Sequence, residues 1–200
     1  IYKRSIDARK RDSILCVCSV LAETQSNVAI PLDRLQKYGI SEAASDEIEI
    51  VKGTKRLNSR PIIVGLGPAG IFCALLLAEN GYAPIVLERG SRVAERTKAV
   101  EAFYRGDGLD VNTNIQFGAG GAGTFSDGKL TTGIKDPLCR HCLNELVKHG
   151  APEDILYNAK PHIGTDLLLG VVDRMLDHIQ ALGGRVIYRC RLEEITERTD

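Results

Sequence analysis

Pro61-Ile62-Ile63-Val64-Gly65-Leu66-Gly67-Pro68-Ala69-Gly70 is the stretch from which the fold of this chain can be read. A short apolar run, which suits a buried strand, meets a glycine turn, and an apolar helical pattern follows from about Ala69 to Asn80. Gly81 stops that helix, and Pro84 to Leu87 reads as a second short strand. Strand, turn, helix and strand make one βαβ unit.

The turn fits G-x-G-x-x-G, which by itself is a weak signal. Its context is specific, because it follows a strand, opens a helix, and has Glu88 at the end of the next strand, 18 residues beyond Gly70. Gly65 makes the tight turn, Gly67 lets backbone approach a pyrophosphate, and Gly70 lets helix and strand pack closely. The helix start at Pro68 and Ala69 offers unpaired N–H groups and a positive dipole end to the anion. Glu88 can accept hydrogen bonds from ribose hydroxyls and disfavours a 2′-phosphate. Arg89 reads as a contact to ribose or pyrophosphate, or as a solvated surface arginine. FAD and NAD share the ADP moiety, so the fingerprint alone does not choose between them.

Composition sets the wider frame. The chain has 200 residues, 44% hydrophobic and 26% charged, as in an ordinary globular protein. Basic and acidic residues number 26 each, so no global field favours nucleic acid or an anionic membrane. The longest apolar run, Ile71 to Ala78, falls far short of the roughly 20 residues a bilayer span needs. No secretory signal opens the chain, and without an initiator Met the true N-terminus is expected to lie upstream. The basic opening around Lys3, Arg4, Arg9, Lys10 and Arg11 lacks an aromatic platform and reads as a solvated face. Six cysteines in a chain this long suggest a cytoplasmic protein rather than a disulfide framework. Cys16 and Cys18 share a strand face, and with Cys73 and Cys190 they read as small buried hydrophobes.

Residues 13 to 22 read as a buried strand, Pro31 to Tyr38 as a short helix and Glu47 to Val51 as an alternating strand. Together they suggest a small α+β domain over 1–58, joined by a polar linker to a second domain over 59–200. In that second domain Leu138 to His149 is helical with Gly150 as its stop, and Asp166 to Leu182 is a longer helix that Thr165 could cap. Leu168, Val172, Met175, Ile179 and Leu182 form its apolar stripe. After Gly183-Gly184, residues 186 to 192 alternate as a strand.

Thirteen of the 20 glycines lie between Gly65 and Gly133. The run Gly118-Ala119-Gly120-Gly121-Ala122-Gly123 carries too much backbone entropy for a helix or strand unless something approaches it closely. Its N–H groups suit an anion or a flavin ring, with Thr124, Ser126, Asp127 and Lys129 adding polar groups nearby; a flexible surface loop is the plainer account.

Asn114 to Leu130 (NIQFGAGGAGTFSDGKL) and Lys160 to Asp166 (KPHIGTD), with Ser5-Ile6-Asp7-Ala8-Arg9-Lys10, resemble the bacterial FAD-dependent proteins labelled NAD(FAD)-utilising dehydrogenases. The wider kinship is with the glutathione-reductase-like flavoproteins. The resemblance covers essentially the whole chain, and departs from the family at Ala119, where an acidic residue is expected, and at the C-x-x-C of Cys139 and Cys142. It implies an α/β, Rossmann-like FAD-binding fold, incomplete at the C-terminus, whose second half lies beyond Asp200. It also implies FAD as cofactor, a candidate role for NAD(P)H as electron donor, and backbone contact between Leu192 and adenine.

The expected site is therefore Gly65, Gly67, Pro68, Ala69, Gly70, Glu88, Arg89, Gly120, Gly121, Gly123, Thr124, Ser126, Lys129 and Leu192. No catalytic acid or base can be named, and the substrate is unknown. No metal site is expected, since Cys139 and Cys142 lack a partner pair; an inert thiol pair outweighs a redox one. His162 reads as a loop anchor before a substrate contact. Competing with an FAD oxidoreductase are an NAD-dependent dehydrogenase with one Rossmann site and a nucleotide- or RNA-associated module without turnover.

Overall fold

The computed structural model describes residues 1–23, 25, 31–43, 51, 53–126, 128–134 and 136–197. Its first element pair is an antiparallel ribbon of β1 (Lys3–Lys10) and β2 (Ser13–Ser19), in which Ile6 faces Cys16 and Arg4 faces Cys18. A short helix α1 (Leu32–Leu35) runs into a 3-10 turn over Gln36–Tyr38. Most of the strand expected at Glu47 to Val51 lies outside the described residues.

The buried strand expected over 13–22 is corrected on two counts. It ends at Ser19, and all seven of its residues are exposed. Among the described residues the two strands have no layer to bury a face against, and Ile14 is 68% and Val17 47% exposed. Cys16 and Cys18 are accordingly exposed, with their sulfurs 3.9 Å apart on one strand face. Cys73 is also exposed, on the outer side of its helix, and Cys190 is half-buried. What joins the ribbon to the rest is the outer edge of β1. There the Arg4 amide donates to the Tyr157 carbonyl at 2.6 Å, the Ala159 amide donates to the Arg4 carbonyl at 2.9 Å, and the Arg4 side chain lies over the Tyr157 ring.

The second part is mixed α/β, built on a three-stranded parallel sheet of β3 (Ile62–Val64), β4 (Ile85–Leu87) and β5 (Arg185–Ile187) in that order. Register places Ile63, Val86 and Val186 in one row. Between β3 and β4 runs α2 (Pro68–Glu79), whose start, end at Asn80 and stop at Gly81 follow the sequence reading. α4 (Pro137–Lys148) begins with the Asp136 carboxylate accepting from the Leu138 amide at 2.8 Å. α5 (Thr165–Ala181) starts without the cap expected from Thr165: Gly164 holds the N-cap position, and Thr165 is already helical.

α2 and α5 pack together over the Ile63–Val86 face. Leu66, Ile71, Ala74 and Leu75 meet Val171, Val172, Met175 and Ile179 in one core. Each fully buried Leu, Ile or Met contributes roughly 1.5–3 kcal/mol from removal of apolar area from water. Leu182, expected on the α5 stripe, lies past the helix end and is 39% exposed. Among the described residues the opposite face of the sheet is uncovered along β3, where Ile62 is 64% and Val64 56% exposed, and β3 is also an edge.

Two elements depart from the sequence reading. α3 (Val93–Arg105) fills a stretch for which no element is expected, and it buries Val93, Arg96 and Val100. β5 is shorter than the expected strand over 186–192: Arg189 takes a left-handed φ of 54°, which ends the alternation, and pairing stops at Ile187. Cys190 still donates its amide to the Glu88 carbonyl at 2.9 Å, but residues 191–197 form no ladder. Among the described residues, no helix is long and apolar enough to cross a membrane.

Candidate functional site

The glycine turn sits where the sequence places it, between β3 and α2. Gly65 has a φ of 91°, which lets the chain reverse while its amide donates to the Leu87 carbonyl at 2.8 Å. The first α2 hydrogen bond runs from the Ile71 amide to the Gly67 carbonyl at 3.0 Å, so the amides of Ala69 and Gly70 precede the helical ladder. Pro68 at the first turn has no N–H to leave unpaired. A Cβ on Gly67 would meet nothing within 4 Å, whereas one on Gly70 would lie 2.0 Å from the Gly65 carbonyl oxygen. The turn is thus open at its mouth and closed at its base.

Glu88, at the end of β4, is only 3% exposed. Its Oε2 accepts from the Leu66 amide at 2.6 Å and its Oε1 from the Gly90 amide at 2.6 Å. The carboxylate therefore braces the glycine turn from the neighbouring strand, a structural task the spacing alone does not disclose. Each oxygen keeps further acceptor capacity. Replacing Glu88 by Ala should cost roughly 2–4 kcal/mol, because two buried amides lose charge-assisted partners. Denaturant unfolding checks this; a change below about 1 kcal/mol would contradict the bracing role.

The glycine loop packs directly on this turn. The Gly120 amide donates to the Leu66 carbonyl at 3.0 Å, and a Cβ on Gly121, whose φ is 69°, would fall 2.7 Å from Pro68 Cδ. A 3-10 turn over Ala122–Phe125 begins there, close to the first turn of α2. Gly123 and Ser126 are exposed, while Thr124 is fully buried and turned inward, donating to the Gly121 carbonyl at 2.8 Å. Asp127 lies outside the described residues. Lys129 pairs across an antiparallel bridge with His162, and the Ile163 amide donates to the Gly128 carbonyl at 3.0 Å. The far end of the loop is thus tied down by the residues either side of His162, the Ile163 amide and the Pro161 carbonyl, which accepts from the Leu130 amide at 3.0 Å.

Arg96 holds the loop from behind, and the sequence reading missed it. It is completely buried and uses all five N–H donors. Nε donates to the Asn114 carbonyl at 2.9 Å, Nη1 to the Ala119 carbonyl at 2.6 Å and Thr124 Oγ1 at 3.0 Å, and Nη2 to the Ile115 carbonyl at 2.8 Å and the Gly121 carbonyl at 3.0 Å. Burial pulls the guanidinium down to about 10, and the negative charge of Glu88 opposes that shift. The available signal was its spacing with Val93 and Val100, which places all three on one face of a helix.

Beside Glu88 lies a polar cleft of about 500 Å³ lined by Arg89, Ser91, Asp110, Asn112, Thr113, Arg189, Arg191 and Glu193. Arg89 reaches it from the end of β4, with its guanidinium 3.9 Å from the Phe117 ring centroid and Nη2 donating to the Val111 carbonyl at 2.6 Å. Leu192 does not line the cleft; its neighbours Arg191 and Glu193 do. The structure therefore brings together Gly65, Gly67, Pro68, Ala69, Gly70, Glu88, Gly120 and Gly121, with Arg89 at one side. Leu192, Ser126 and Lys129 stand further out.

Cys139 and Cys142 are half-buried near the start of α4. Burial, with the neighbouring Cys139 and Glu145, pushes the Cys142 thiol up, away from the reactive thiolate. Replacing both by Ser should leave the protein's absorption spectrum and any NAD(P)H oxidation unchanged; a large loss of turnover with stability intact would revive a thiol relay. Among the described residues, no group of three or more His, Cys, Asp or Glu could hold a metal ion.

No protein-family model matches the chain. A protein from Clostridium beijerinckii that bears the name "Uncharacterized protein" is 50% identical over 197 residues, which is 98% of this chain and 37% of that protein. The chain thus spans well under half the length of the curated relative it matches.

Proposed function

We propose that this chain is the ADP-binding part of a Rossmann-like, FAD-dependent oxidoreductase. The observation that supports it is the union of two glycine segments at one strand end. The Gly65–Gly70 turn, braced by Glu88, has an open mouth, and the Gly120–Gly121 backbone packs against it. The N-terminus of the 12-residue α2 opens at that mouth, with amides that precede its helical ladder, which suits a diphosphate.

The residues present fit such a cofactor. Ala69 and Gly70 would offer amides to the pyrophosphate, Glu88 a fixed acceptor to the ribose, and the arginine-lined cleft beside Glu88 a place for the adenosine end. Gly120, Gly121 and Gly123 would meet the flavin side, with Ser126 and Lys129 at its rim. Bound flavin would supply two-electron redox chemistry, while this chain's residues bind and orient it. The NAD-only reading leaves the resemblance of residues 114–130 to flavoproteins without an account.

A visible absorption spectrum of the full-length protein tests the proposal. Flavin bands, bleached by NADH or NADPH under nitrogen, are the expected result. A colourless protein that takes up no FAD on reconstitution would overturn it.

A further inference from the structure

We propose that Arg96 is the positioning residue of this site, whose guanidinium moulds residues 114–121 into the wall that meets the nucleotide turn. The inference rests on the flavin reading for its ligand and on the geometry for the rest.

Residues 114–121 form neither helix nor strand, so their buried carbonyls need donors from elsewhere. Arg96 supplies them: four of its five hydrogen bonds end on the carbonyls of Asn114, Ile115, Ala119 and Gly121. The loop is shaped around it in return. A Cβ at Gly118, where φ is 122°, would lie 2.6 Å from Arg96 Cδ. Gly118 is therefore glycine to admit this arginine, which differs from the ligand role its neighbours suggest.

The chain of contact continues to the nucleotide turn. Ala119 and Gly121, both gripped by Arg96, flank Gly120, whose amide bonds Leu66, and Leu66 in turn is held by Glu88. The Phe125 ring closes over the guanidinium, with the cation 4.7 Å from its centroid. A lysine cannot substitute, since it has three donors on one nitrogen and no planar fork to reach four separated carbonyls. A plain hydrophobic residue at this point of the α3 stripe would pack the helix but leave the carbonyls unpaired.

The test uses the full-length protein carrying Arg96→Ala and Arg96→Lys. Without ligand, amide exchange read by mass spectrometry should rise across 118–124 in Arg96→Ala, while α2 and α5 keep their protection. FAD affinity should fall about 100-fold, and Arg96→Lys should recover only part of it. Ethylguanidinium at non-denaturing concentration should restore both loop protection and FAD affinity to Arg96→Ala, which a residue serving only general stability would not show. Unchanged FAD affinity in both variants would overturn the proposal, as would loosened α2 and α5 without a specific effect at 118–124. Failure of the wild-type protein to bind FAD would instead overturn the flavin reading, and the ligand-free exchange would then decide whether Arg96 holds the loop. Should Arg96→Ala not fold, Arg96→Lys carries the same two measurements, with loss confined to the loop as the expected result.

Discussion

Gly67→Val should abolish FAD binding while leaving the protein as stable as before. The backbone at Gly67 has φ −72° and ψ −178°, which any residue can adopt, and a Cβ there would meet no atom within 4 Å. The folded chain therefore tolerates the side chain. A pyrophosphate does not, because the space in front of the first α2 turn is the space it needs. Blocking that approach removes several hydrogen bonds to phosphate at once, each worth roughly 1.5–3 kcal/mol, so affinity should fall by about 100-fold or more. Equilibrium titration of apoprotein with FAD measures it, and thermal unfolding without cofactor supplies the control. Unchanged flavin uptake would remove the turn from the site.

Gly70→Val should have the opposite signature, a large loss of stability. Here the added carbon would stand 2.0 Å from the Gly65 carbonyl oxygen and 3.0 Å from its carbon, both rigid backbone atoms at the base of the turn. Relief requires α2 to move away from β3, and α2 carries Ile71, Ala74 and Leu75 into the core. Backbone displacement under a buried helix should cost about 3 kcal/mol or more. Chemical denaturation of the ligand-free protein reads it directly. A loss below about 1 kcal/mol would mean that the turn can open without disturbing the helix. The pair separates the two reasons for glycine in one motif: room for a ligand at 67, room for the chain itself at 70.

The β3–α2–β4 unit was legible because its signals are local. An apolar triplet, a glycine turn, a helix stop and an acid at fixed spacing each constrain the backbone within a few residues. Burial was less legible, because it depends on what lies opposite. Cys16 and Cys18 alternate as strand residues should, yet among the described residues no layer covers the ribbon, so they are exposed. The strand expected over 186–192 is too long, because it extends a regular alternation through Arg189, whose left-handed backbone breaks it. At Glu88 spacing marks an acid at the end of the strand but cannot reveal that each of its oxygens also accepts from a backbone amide, Leu66 or Gly90. Arg96 stayed hidden for a chemical reason: a charged residue on an otherwise apolar stripe looks like a surface position until the carbonyls that surround it are known.

β3 carries a consequence of its own. A strand whose outer row of amides and carbonyls has no neighbour among the described residues, flanked by the exposed branched side chains of Ile62 and Val64, is a template on which a passing strand can add. Lodging there requires no prior unfolding of the host, so the encounter is governed by how often two molecules meet. Handled as a separate 200-residue polypeptide, the chain should therefore have a shelf life set by its concentration more than by its melting temperature. A single lysine at position 62, charged and on the rim, should lengthen that life without touching the core.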